Sequence, residues 1–304
     1  MFLPNSLNII SSVKGASRGT RILERRKRRS VRDIVQFETP QQVYTRIVSK
    51  HYPYHPFYEE EYVFRDQAMM SLCYLTGGRI SEVCGGPQWQ TEVPAQKVQK
   101  TDGTIHHVGG KWKVIGRHPG LTKQDVELTE THVIIRNMKV VKRSQRVIER
   151  RGIAVTQRSE LMFPLHRGLG DNIFWDQLVP FSTLVKRYIT EFKPSSKLFP
   201  YEAKRAYYII EACTGMNPHW LRAMSEWFYG SYLLKGKLEL SSFLNVLDPK
   251  VLLDYSRYDA KSHLANPESA MDFTWIDKEV SRVNMLTFKR YSSSLDSGLP
   301  SEIT

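Results

Sequence analysis

The paired glycines Gly77 and Gly78, in the run LTGGRISEV at 75–83, constrain the fold more than any other feature of the chain. Upstream, Tyr62, Ala68, Met69 and Leu72 recur at helical spacing and predict a helix over 59–74. Glycine ends a helix readily because it enters the left-handed region without a Cβ penalty. Ser81 and Glu82 then belong near the start of a following helix. Arg79 is therefore confined to a tight turn between two apolar helices, with its side chain directed out of the fold. Two glycines in succession also imply that the backbone at this turn makes a close approach.

With 304 residues the chain can bury one large core and carry extensions. Lys and Arg number 44 against 31 Asp and Glu, a net charge of +13. That excess points to a polyanionic partner, with nucleic acid as the first expectation. It is densest in RGTRILERRKRRSVR at 18–32, where Arg25, Arg26, Lys27, Arg28 and Arg29 form an arm suited to replacing counterions on DNA phosphates. Cys73, Cys84 and Cys213 lie in apolar segments without CxxC spacing. They read as buried thiols in a reducing compartment, not as a disulfide frame or a zinc site. No apolar run has the length of a bilayer span, and the opening residues lack the charged region and cleavage site of a secretory signal, so no membrane partner is expected.

The remaining punctuation sets the class. Thr39-Pro40 opens a helix, with Gln42 three residues after the cap and Val43, Ile47 and Val48 as its apolar positions. The prolines of HYPYHP at 51–56 end it. Between 85 and 120 Pro, Gly, Thr and Gln replace the helical stripes, and the glycine-bounded stretch 103–121 predicts a β-ribbon with His106 and His107 on its surface. The β-branched run 132–139 predicts a strand, 142–146 a basic turn and 152–155 a return strand. Residues 164–176 read as loop, and 197–200 as a short extended segment. Helices are expected over 181–192, with Leu184, Val185, Tyr188 and Ile189 apolar, then over 202–213, from Pro218 onward, and within 272–288. The fold class is α+β, mainly helical, with a small antiparallel β-sheet. The expected domains are a basic arm with a short helix at 1–55, a main domain at 56–262 and a tail at 263–304.

The chemistry concentrates in 215–258. His219 and Arg222 lie one helical turn apart, and Tyr255 and Tyr258 flank Arg257. A phosphodiester is a poor electrophile because its anionic oxygens repel a nucleophile. Arginines neutralise those oxygens with forked hydrogen bonds, a histidine shuttles a proton, and a phenolate formed among cations attacks phosphorus. Three boxes carry a family likeness. LCYLTGGRISEV at 72–83, PHWLR at 218–222 with LFP ahead of it at 198–200, and LDPKVLLDY at 247–255 resemble, in order, the first arginine box, the H-x-L-R box and the nucleophile segment of the tyrosine recombinases. That family includes the phage-type and archaeal integrases and the Xer proteins. The likeness covers about residues 60 to 260.

The resemblance implies the tyrosine-recombinase catalytic fold and a site-specific integrase of archaeal or viral type. Such a protein acts on double-stranded DNA as a homotetramer in the cytoplasm of a prokaryotic host. It breaks and rejoins duplex DNA through a 3′-phosphotyrosyl intermediate, with no metal or cofactor. By position Arg79 and Arg222 clamp the phosphate, His219 adds a donor, and Lys139 protonates the leaving oxygen, with Lys142 as the alternative. Tyr255 is the nucleophile, with Tyr258 as the alternative, and Glu82 supports Arg79. The tail around Trp275 and Ile276 would pack on a neighbouring subunit. Val246 stands where the family carries a His or Trp donor, and Ala223 where many bacterial members carry His. A type IB topoisomerase-like relaxase and a catalytically weakened DNA-binding relative are the alternatives.

Overall fold

The computed structural model describes residues 37–53, 59–91, 96–99, 105–108, 112–141, 155–157, 160–194, 196–234, 237–244 and 271–286. Tyr255, Tyr258, Lys142, Val246, Arg25, Arg26, Lys27, Arg28 and Arg29 lie outside the described residues.

Helix α1, Pro40–Ser49, opens on the expected capping box: Thr39 Oγ1 accepts from the Gln42 N–H, and Gln42 Oε1 accepts from the Thr39 N–H. It packs into the main core. Val43, Tyr44 and Ile47 are buried, and the Tyr44 ring meets Phe181 edge-on and Trp275 at a tilt.

The centre of the molecule is α2, Glu59–Thr76. Around it pack α1, the short α3 (Ile80–Cys84), α4 (Val179–Phe192), α5 (Ala203–Thr214) and α6 (Pro218–Phe228). The expected one-sided stripe is too narrow. Beyond Phe64, Asp66, Gln67, Ser71 and Thr76 are buried along with their apolar neighbours. A helix enclosed on all sides loses the 3.6-residue contrast that marks an amphipathic one. Its polar groups are partly satisfied locally. Thr76 donates to the Leu72 carbonyl, and Arg65 lies between the Tyr62 and Tyr201 rings beside Asp66, which also accepts from the Tyr201 hydroxyl.

The ribbon begins earlier than the sequence predicts. Strand β1 (Gly86–Thr91) pairs antiparallel with β4 (Trp112–His118) through a bulge at Gln88/Trp89, and β2 (Gln96–Gln99) pairs with β3 (Ile105–Val108) between them. A three-stranded antiparallel sheet follows, ordered β5 (Val126–Leu128), β6 (His132–Ile135), β9 (Leu161–Pro164). A separate hairpin joins β7 (Lys139–Val141) to β8 (Val155–Gln157). The single strand expected over 132–139 is thus two strands. Asn137 adopts a left-handed φ of 58° between them, a conformation asparagine tolerates better than most residues. Lys139 accordingly opens β7 opposite Gln157 and does not close the preceding strand. The segment read as loop ends in a 3-10 turn, Ile173–Leu178, that leads into α4.

Helix α4 buries Leu184, Val185, Tyr188 and Ile189 as predicted, and α5 ends at Gly215 with φ 71°. Helix α6 continues into a π turn, Tyr229–Leu233, and is followed by α7, Lys237–Leu244. The last helix, α8 (Thr274–Met285), corrects the expectation for the tail. Trp275 and Ile276 are buried in their own chain, where α8 packs on α4 and Trp275 Nε1 donates to Gln177. The fold is mainly helical with small antiparallel sheets, in the α+β class. Among the described residues no helix is long and apolar enough to cross a membrane.

Candidate functional site

Helix α6 has its start fixed by two residues. Asn217 caps it by accepting from the His219 N–H, and Pro218 occupies the first turn. With the start set, His219 and Arg222 share one face. Arg222 reaches back to the end of α2, where its Nη1 donates to the Gly77 carbonyl at 2.8 Å. Two turns further on, the Tyr229 hydroxyl donates to the Leu75 carbonyl at 2.9 Å. The carbonyls that close a helix have no partner within it, so α6 and the turn that follows it supply side-chain donors to the end of α2. The Arg79 turn is thereby drawn against the helix that carries the other two residues.

This approach explains the glycines. At Gly77, with φ +55°, an added Cβ would lie 2.7 Å from Leu244 Cδ2 and 3.0 Å from Ser225 Oγ. At Gly78 it would lie 2.3 Å from Met138 Cε. The close approach inferred from sequence is real, and the neighbours are side chains of α6, α7 and the segment ahead of β7.

Arg79 caps α3 and is held from beneath. Its backbone N–H and its Nη1 each donate to the Glu82 carboxylate at 2.8 Å. The Glu82 side chain is 1% exposed while that of Arg79 is 48% exposed, so the guanidinium is presented at the surface on a buried support. Arg222 is far more enclosed, at 4% exposure, and its Nε pairs with Glu226 Oε1 at 2.6 Å. Glu226 was not singled out in the sequence. Its only signal is the i,i+4 spacing from Arg222, on a helix buried from Trp220 through Phe228.

His219 responds to both arginines. Its pKa is lowered from 6.5 to about 4, first by the protein packed around the ring and then by the positive charges of Arg222 and Arg79, although part of the residue still faces solvent. At neutral pH the ring is uncharged, so one nitrogen donates while the other accepts. Arg79, His219 and Arg222 therefore come together, with Glu82 beneath the first arginine. Strand β7, which Lys139 opens, runs beside α3. The arrangement presents directed N–H donors and a neutral imidazole, a combination suited to holding an oxyanion and moving a proton. Among the described residues no three His, Cys, Asp or Glu side chains are grouped to hold a metal ion.

Outside this cluster, Tyr207 and Tyr208 on α5 are exposed beside the exposed Lys204. The aromatic pair lies within a stretch read from sequence only as a helix. The three cysteines are buried and free; burial is the main cause that pushes Cys73 and Cys213 up to about 12 and also raises Cys84. The chain matches no family model, no curated protein and no solved structure.

Proposed function

We propose that this chain is a tyrosine-type DNA strand transferase, a site-specific recombinase acting on duplex DNA. The observation that carries the reading is the convergence of Arg79 with His219 and Arg222, which lie far apart in sequence, through the Arg222–Gly77 hydrogen bond and the effect of both guanidinium charges on His219. The three belong to the boxes that resemble the recombinase motifs, and the net charge of +13 agrees with a nucleic-acid partner.

In this reading Arg79 and Arg222 hold the non-bridging oxygens of the scissile phosphate and stabilise the charge that develops on them. His219, neutral at pH 7, donates an N–H or relays the proton of the nucleophile. The Tyr255 oxygen attacks phosphorus and forms a 3′-phosphotyrosyl ester, and the 5′ oxygen leaves as Lys139 supplies its proton. The ester conserves the energy of the broken bond, and attack by a second 5′-hydroxyl on the phosphotyrosyl phosphorus releases the tyrosine and seals the strand.

The test is a nicked duplex whose cleaved end diffuses away, which traps the covalent adduct. The wild-type chain should form it, and Tyr255→Phe should not. An adduct that survives in Tyr255→Phe and disappears in Tyr258→Phe moves the nucleophile. Arg79→Ala and Arg222→Ala should each slow adduct formation by roughly 100- to 1000-fold. Tight sequence-specific binding without an adduct identifies a DNA-binding relative, and relaxation of any supercoiled plasmid identifies a topoisomerase-like activity.

A further inference from the structure

Arg222 stands in an apolar wall. Trp220, Leu221, Ala223, Met224, Trp227 and Phe228 are all buried along α6. A buried ion pair seldom improves on a well-packed apolar pair in stability, because desolvation offsets the attraction. The Arg222–Glu226 pair therefore needs another reason to exist, and the anion site beside it supplies one. We infer that Glu226 is a positioning residue that fixes the guanidinium of Arg222 toward a bound phosphate. The inference rests on the reading of this cluster as a phosphodiester site.

The geometry supports that role. A guanidinium is planar, with five N–H groups in fixed directions. Glu226 forms an ion pair with the guanidinium at Nε, 2.6 Å away, and the Gly77 carbonyl accepts from Nη1 at 2.8 Å. A hydrogen bond at one nitrogen and a charge contact at another restrain the guanidinium at two points. Glu82 plays the same part for Arg79, bonding its backbone N–H and its Nη1. Each arginine thus rests on its own buried carboxylate, and together the carboxylates offset the two guanidinium charges. An anion in this site is recognised by aimed N–H groups more than by excess charge. Glu226 accordingly trades affinity for alignment.

That trade gives opposite signs to two measurements. Glu226→Gln keeps the side-chain shape but removes the charge and weakens the hold on Nε. Titration calorimetry of the full chain with inorganic phosphate at low ionic strength should show binding tightened roughly 10-fold. Adduct formation on the nicked duplex should slow by about 100-fold, with KM unchanged or lowered. Glu226→Asp retains the charge and should restore wild-type phosphate affinity. Weaker phosphate binding in Glu226→Gln together with a lower melting temperature marks a merely structural pair and overturns the inference. So does unchanged phosphate affinity, phosphate binding by neither protein, or failure of both variants to fold. A wild-type chain that forms no adduct defeats the proposed function alone, because the phosphate titration still decides the role of Glu226.

Discussion

At the scale of single residues, the structure gives His219 a pH signature. The folded chain holds its pKa at about 4 against 6.5 for an ordinary histidine. Between these values the unfolded chain binds a proton that the folded chain does not, so stability should fall as pH drops from about 6.5 towards about 4. Urea unfolding across that range should show the slope in the wild type and a shallower one in His219→Asn. Gly77 makes a second case, since its left-handed φ and the nearby Leu244 and Ser225 side chains leave no room for a Cβ. Gly77→Ala should destabilise the chain by about 1–3 kcal/mol in the same assay. His219 and Arg222 were legible in the sequence because spacing along one helix is a local property. Glu226 was not, because an i,i+4 carboxylate acquires a role only once the helix around it is buried.

At the scale of elements, local chemistry read correctly where the element is stabilised locally. The Thr39–Gln42 capping box is such a case, and Thr39→Ala should cost about 0.5–2 kcal/mol by thermal or urea unfolding. Elements determined by their surroundings read less well. The burial of α2 on all sides erased its stripe, and the left-handed Asn137 divided a run whose composition is uniformly strand-like. Strand β9 is four residues long and gains its identity from pairing with β6, a partner distant in sequence. Helix α5 adds a face that the sequence did not single out, with Lys204, Tyr207 and Tyr208 exposed together. If this face lies against DNA, Lys204→Ala should reduce the slope of log affinity against log salt by about 1 while leaving the melting temperature unchanged.

At the scale of the whole molecule, α8 closes the core that α1 begins. Trp275 packs against Tyr44 and bonds Gln177, while Arg187 donates to the Asn284 and Leu286 carbonyls at the end of α8. Trp275→Ala should therefore lower stability by about 3–5 kcal/mol in the isolated chain, measured by denaturant unfolding at several protein concentrations. A loss independent of concentration is the signature of packing within one chain. The expectation of a tail seated on a neighbour arose because an amphipathic helix advertises an apolar face without naming what covers it.

The sequence by itself determined the capped starts of α1 and α6, the excess of positive charge, and the pairing of His219 with Arg222 on one face. These follow from backbone conformations and spacings a few residues long. Only the tertiary structure decided that Gly77 and Gly78 meet side chains of α6, α7 and Met138, that Arg222 spans to the Gly77 carbonyl, and that each arginine rests on a buried carboxylate. Those facts depend on segments far apart in the chain being driven together by burial of their apolar faces, and no local pattern encodes which buried polar group will find which partner.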